Sequence, residues 1–307
     1  MAEFTAKDVM KLREQTGAGM MDCKKALVDA DGDFEKAGEL LRERGIAKAA
    51  KRASKIAAEG IVYALVENGV GVLVEVNVES DFVAKGEKFH EVVHTIAKYI
   101  VEKKPCCVDK LLAGDLGGKT VETYISEQTG IIGEKISVRR FKIFESAGLV
   151  ETYIHMGGTM GVMLDFDCAV SDVTKALAHD VALHTAFSKP TYLCREEVSA
   201  ETIAHEREIL KQEALNDEKN AGTPEAVIDR IVDGKVKKYY EENCLLEQKF
   251  VKDDKLTIAQ LIAQASKEAG TPVSLKRFVF YVMGEGLEKK QEDLSEEVAK
   301  QVEAMKK

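Results

Sequence analysis

Gly71-Val72-Leu73-Val74-Glu75-Val76 has a counterpart 90 residues further along, Gly161-Val162-Met163-Leu164-Asp165-Phe166. The same shift carries Tyr63 onto Tyr153 upstream and His94-Thr95 onto His184-Thr185 downstream. Self-similarity at a fixed spacing signals a duplicated unit. Each copy reads as two strands around a turn, followed by a helix. A second match runs at a shift of 137. It carries Ser137-Val138-Arg139-Arg140-Phe141 onto Ser274-Leu275-Lys276-Arg277-Phe278, Thr120-Val121 onto Thr257-Ile258, Ile125 onto Ile262 and Gly133 onto Gly270. Both copies of this stretch read helix, glycine, strand.

Because the shifts are 90 and 137, the second copy carries a net insertion of 47 residues after its histidine helix. Residues 196–242 have the matching character. Ser199 caps a charged helix bearing Ile203, Ile209 and Leu210, and Asn220-Ala221-Gly222 turns the chain. Thr223-Pro224 opens a second helix with proline at its first position, and Ile228, Ile231, Val232 and Val236 line one face. Two amphipathic helices joined by a short turn form an αα-hairpin.

Ahead of the repeats, residues 1–45 read as three short helices. Thr5 and Asp8 have capping-box spacing before Val9 and Leu12. Thr16-Gly17-Ala18-Gly19 is a turn, Asp22 is read as the cap of the second helix, and Gly45 as the end of the third. Residues 42–55 carry six basic side chains and one acid. They read as a solvated helix or linker, or as a contact for RNA or an acidic partner. The expected fold class is α+β, with antiparallel sheets. The expected domains are a three-helix module and basic linker over 1–55, a first repeat over 56–146, a second repeat over 147–195 and 243–284, the inserted hairpin at 196–242, and a helical tail over 285–307.

Composition narrows the function. The chain has 307 residues, 45% hydrophobic and 32% charged, with a net charge of −9. That balance disfavours whole-chain nucleic-acid binding, which draws its affinity from phosphate neutralisation, and favours a protein or small-molecule partner. The N-terminus lacks the pattern of a signal or transit peptide, and apolar runs reach only about six residues, so a cytoplasmic protein without a membrane partner is expected. The six cysteines include no Cys-x-x-Cys and read as reduced thiols, with Cys106-Cys107 a place where oxidation could occur. There is no phosphate loop, dinucleotide fingerprint, His-Glu-x-x-His or Gly-x-Ser-x-Gly. His90 and His94 have i, i+4 spacing, but the second copy has Asp180 and His184 and no third ligand is evident. An enzyme is therefore not expected, nor a cofactor, metal or small-molecule substrate.

The copies differ most after their second strand. The first has Glu79-Ser80-Asp81-Phe82-Val83-Ala84-Lys85 where the second has Ala169-Val170-Ser171-Asp172-Val173. Phe82 reads either as core or as a recognition tip.

Two of these stretches resemble signatures of the elongation factor Ts family: Leu12-Arg13-Glu14-Gln15-Thr16-Gly17-Ala18-Gly19-Met20-Met21-Asp22-Cys23-Lys24-Lys25-Ala26-Leu27, and Glu75-Val76-Asn77 followed by Ser80-Asp81-Phe82-Val83-Ala84. The resemblance runs along essentially the whole chain, including Val138-Arg139-Arg140, Ser188-Lys189-Pro190 and Gly284-Glu285-Gly286. It implies a guanine-nucleotide exchange factor whose partner is elongation factor Tu, with an N-terminal module like ubiquitin-associated domains. It also implies that Arg13, Met20, Met21 and Lys24 face the partner's nucleotide domain. Asp81 and Phe82 would enter that domain beside its magnesium and phosphate site, and Ile132, Gly133 and His155 would add contacts. A homodimer through the hairpin or core is a further implication. Ser80 stands where the family has threonine and keeps the hydroxyl, whereas Thr159 in His155-Met156-Gly157-Gly158-Thr159-Met160-Gly161 replaces an arginine. The rival reading is an RNA- or ribosome-binding protein acting through residues 42–55.

Overall fold

A computed structural model describes residues 4–220 and 222–287. The helical tail expected over 285–307 lies, beyond Leu287, outside the described residues. The chain opens with α1 (Ala6–Thr16), α2 (Met20–Asp29) and α3 (Phe34–Arg52). The first repeat follows: β1 (Glu59–Glu67), β2 (Val70–Val78), α4 (Asp81–Ala84), α5 (Glu87–Lys103), α6 (Val108–Leu112), α7 (Val121–Ile132) and β3 (Ser137–Glu145). The second runs through β4 (Leu149–His155), β5 (Met160–Asp167), α8 (Asp172–Ser188), the hairpin helices α9 (Ala200–Asn216) and α10 (Glu225–Asn243), β6 (Lys249–Phe250), β7 (Asp253–Thr257), α11 (Ile258–Ala269) and β8 (Ser274–Val282). Contacts divide the chain into two units. One draws on residues up to Tyr63, 74–141 and 282 onward; the other on 64–73 and 142–281.

The duplication is visible in the sheets, whose orders are β1-β2-β3 and β4-β5-β8. β4 and β5 run antiparallel, pairing Tyr153 with Val162 and Ile154 with Gly161. Positions matched in the sequence have matching burial. Val72, Val74 and Val76 are buried, as are Val162, Leu164 and Phe166; Val121 and Ile125 on α7 are buried, as are Ile258 and Ile262 on α11. Each half also buries an acid against an arginine. Arg140 Nε donates to Glu75 Oε2 at 2.6 Å, and Arg277 Nε donates to Asp165 Oδ2 at 2.8 Å. Both acids are shielded from water, at 0% and 2% exposure, so each needs its cation.

The inserted hairpin has its own small core of Ala214, Ile228, Val232 and Val236. Arg207–Asp233, Lys211–Asp229 and Lys235–Glu213 pairs cross between its helices. Pro224 takes the N-cap, one residue ahead of the expected first helical position, with extended ψ 145°.

At the N-terminus, Thr5 and Asp8 form the expected capping box. Two expectations are corrected. Asp22 is not the cap of α2. Gly19 takes that position in extended geometry, and Asp22 sits in the first turn bonded to Lys48 at 3.0 Å. Gly45 does not end α3 but lies in its middle, because it is the place where α7 crosses. A Cβ on Gly130 of α7 would lie 2.4 Å from Gly45 Cα, too close for two side chains to share the crossing. The consequences of filling the two glycines are therefore unequal. Gly130→Ala forces the helices apart and costs about 1–3 kcal/mol. Gly45→Ala meets neighbours only at 3.8 Å and gains up to about 1 kcal/mol of helix propensity. Thermal melting of both variants tests this: Gly130→Ala melts earlier, and Gly45→Ala melts at or above the parent temperature.

Candidate functional site

Phe82 is a tip and not a core residue: 84% of it is exposed. It sits on the four-residue helix α4, too short to hold itself together in water, so its placement must come from its anchorage. Ser80 caps the helix, its Oγ accepting from the Val83 N–H. Ser80 is itself held by Glu134, whose carboxylate accepts from the Ser80 backbone N–H at 2.9 Å and from Ser80 Oγ at 2.7 Å. The next residues back and forward reciprocate. The Glu79 carboxylate accepts from the Lys135 backbone N–H at 2.7 Å and from Arg52 at 2.8 Å. Two adjacent acids from two loops thus clasp each other's backbone. Burial works against the Glu79 charge, but the Lys135 amide and the Arg52 guanidinium outweigh it and hold the carboxyl below its ordinary range.

The clasp brings Asp81 and Phe82 into the same assembly as Ile132 and Gly133, which end α7 just before Glu134. Gly133 adopts the left-handed conformation at φ 86°, a geometry glycine enters without strain, and its N–H bonds Thr129 O. Asp81 is exposed and bonded to Lys85 at 2.8 Å, which holds its carboxyl below the ordinary range. Such a surface pair is weak and easily exchanged for another partner.

A second group forms on α1 and α2. Arg13 and Met20 line a recess of about 190 Å³ with Met10, Glu14, Gly17 and Lys88. Lys88 Nζ bonds Gly17 O at 3.5 Å, tying the start of α5 to this turn. Met21, 74% exposed, and Lys24 project from α2 to solvent. His155 belongs to the other unit, at the end of β4, where its Nδ1 bonds Tyr153 OH at 2.8 Å. Thr159, in the arginine's place, turns its hydroxyl back to Met156 O at 3.1 Å.

Sequence reading missed Glu134, Lys88 and Met10. Glu134 had one available signal, its place beside Gly133 at a helix end. Lys88 had none, because its contact with Gly17 spans 71 residues. Four of the six cations in 42–55 pair with acids of the same chain at its surface. Arg42 pairs with Glu127 at 2.6 Å, Lys48 with Asp22, Arg52 with Glu79, and Arg44 with Asp29.

These features define a class: an α+β protein with a duplicated core that presents a rigidly held apolar tip and an exposed methionine–arginine surface. Among the described residues no cluster of three potential metal ligands occurs, and no helix is long and apolar enough to cross a membrane. The family model for Elongation factor TS matches residues 79–285. An elongation factor Ts of Trichlorobacter lovleyi is 44% identical over 96% of this chain and 97% of its own length. Those of Clostridium perfringens and Symbiobacterium thermophilum are each 46% identical, over 97% and 98% of this chain and 98% and 99% of theirs. The chain belongs to the elongation factor Ts family, and its role is in translation elongation.

The clasp makes its own prediction. Glu134→Ala leaves the Ser80 N–H without its acceptor, and a hydrogen bond to a charged group contributes about 1.5–3 kcal/mol. Hydrogen exchange at Ser80 and Val83 should rise by at least about tenfold, and the melting temperature should fall by no more than roughly 10 °C; unchanged exchange would count against the clasp. Because the folded pKa of Glu79 is depressed, its contribution is present above the unfolded carboxylate value of about 4.3 and is lost as pH falls through the folded value. Urea stability of Glu79→Gln and parent should therefore differ at pH 7 and converge in acid.

Proposed function

We propose that the chain is a cytoplasmic guanine-nucleotide exchange factor that releases GDP from elongation factor Tu without covalent chemistry or a cofactor of its own. The observation that carries this is Phe82, an aromatic ring exposed to water yet fixed by the Glu79–Lys135 and Ser80–Glu134 clasp. An apolar ring held out at the cost of hydration is built to be buried in something else. With Asp81 beside it, the tip presents a wedge and an anion together, suited to disturbing a magnesium–phosphate site. Arg13, Met20, Met21 and Lys24 would hold the partner's nucleotide domain, and Ile132, Gly133 and His155 would add contacts. The mechanism is linkage: a factor that binds the nucleotide-free partner better than the GDP-loaded one weakens GDP binding by the same factor. The magnesium belongs to the partner.

The engaged cations of 42–55 support this reading over an RNA-binding one, which would show steeply salt-dependent binding. Self-association through the hairpin or core is a finer proposal, supported by Ile209, Leu215 and Val227, which leave apolar surface on the hairpin.

Phe82→Ala tests the wedge. Burying a phenyl ring in a partner gains about 1.5–3 kcal/mol, so at about 1.4 kcal/mol per tenfold its loss should slow catalysed GDP release by roughly 10- to 150-fold. Because the ring is exposed in the free protein, the melting temperature should hardly change. Stopped-flow release of a fluorescent GDP analogue, run beside thermal melting, measures both. Normal exchange by Phe82→Ala would overturn the wedge.

A further inference from the structure

Phe82 and the docking residues Arg13 and Met20 sit on different elements, so their relative placement depends on what joins those elements. The join is α3, a single helix of 19 residues and so about 28 Å long. Its first half packs on α1 and α2, where Phe34, Ala37, Leu40 and Leu41 join their core. Its middle crosses α7 at Gly45 and Gly130. Where no side chain stands between two crossing backbones, the angle between the helices has to be set by attachments further along.

A closed ring of bonds at the far end of α3 makes such an attachment. Arg52 Nη1 donates to Glu79 Oε1 at 2.8 Å, and the Lys135 backbone N–H donates to the same oxygen at 2.7 Å. The Lys135 side chain then returns to α3. Its Nζ donates to the carbonyl oxygen of Ala53, the C-cap of the helix, at 2.7 Å and to that of Lys55 at 3.0 Å. A cation is favoured there, because the last carbonyls of a helix carry partial negative charge and lack partners within it. Lys135 also follows directly on Glu134, which holds Ser80. One residue thus ties the end of α3 to the clasp behind Phe82.

We propose that Lys135 is a positioning residue for nucleotide exchange, the strut that fixes the Phe82 tip relative to the docking surface on α1 and α2; this rests on the exchange function proposed above. Removing its ammonium frees the end of α3 but leaves Phe82, Arg13, Met20 and the Lys135 N–H bond to Glu79 in place. A partner then still docks on the N-terminal module but meets the ring out of position. Only the interaction made as GDP leaves is weakened, which lowers kcat and spares KM.

The test is release of a fluorescent GDP analogue from elongation factor Tu by the full chain, measured across partner concentrations. Lys135→Met keeps the apolar stem and removes the charge. Its kcat should fall at least about fivefold, with KM within about twofold of the parent, as expected when a positioned group is displaced by a fraction of an ångström. Lys135→Arg keeps a cation that reaches the same carbonyls and should restore kcat. In the Phe82→Ala background Lys135→Met should have no further effect, since the strut then has no ring to place. Melting temperatures should stay near the parent's, because the bonds to Ala53 and Lys55 lie at the surface. Unchanged kcat in Lys135→Met, a loss that Lys135→Arg shares, or a loss that persists in full without Phe82 would overturn the strut. A parent chain that does not accelerate GDP release would instead overturn the exchange function, and the strut with it.

Discussion

A carboxylate withdrawn from water must keep a cation beside it or lose its charge, and each half of this protein withdraws one. Glu75 and Asp165 hold equivalent places in the repeat, and so do Arg140 and Arg277, which meet them. Removing one partner of a buried pair leaves an uncompensated charge, at a cost of about 3–5 kcal/mol. The strands that carry these residues are therefore not free to slip, since a one-residue shift would turn the acid to the other face. The arginines also reach backbone: Arg140 donates to Val282 O and Arg277 to Glu145 O, positions again equivalent under the shift of 137.

The two copies of the pair are not equally satisfied. Glu75 additionally accepts from Arg139 at 2.9 Å and from the Gly284 N–H at 2.8 Å. Burial opposes the Glu75 charge, but these donors prevail and hold its carboxyl below the ordinary range. Asp165 Oδ1 is buried without a hydrogen-bond partner. The half with the completed network is the one that carries the clasp and Phe82. Its Glu79 and Ser80 follow directly on β2, the strand bearing Glu75, so the fixed strand and the fixed tip are consecutive parts of one chain segment.

Duplication supplied a frame that could diverge at its ends. One copy gained the clasped Asp81-Phe82 tip after its second strand. The other received the α9–α10 hairpin, which carries its own core and its own crossing ion pairs and so asks little of the sheet it interrupts. His94 and His184 show the same freedom. The first is exposed and bonded to Tyr63. The second is buried, bonded to Gln248 at 3.0 Å, and its pKa is lowered chiefly by burial.

The sequence by itself determined the duplication, the α+β class, the hairpin and its apolar face, because these rest on spacing and on which residues avoid water. It also brought Asp81 and Phe82 to notice as a place where the copies part. It left Phe82 undecided between core and tip, placed the end of α3 at Gly45, and left 42–55 open between a solvated helix or linker and a contact for RNA or an acidic partner. Only the tertiary structure settled these, since each depends on a partner far away in the chain. Gly45 lies where α7 crosses at Gly130, the cations of 42–55 are met by acids such as Glu127 and Glu79, and Phe82 is held outward by a bond between residues 54 apart. Local pattern records what a residue prefers, while the fold decides which neighbour satisfies it.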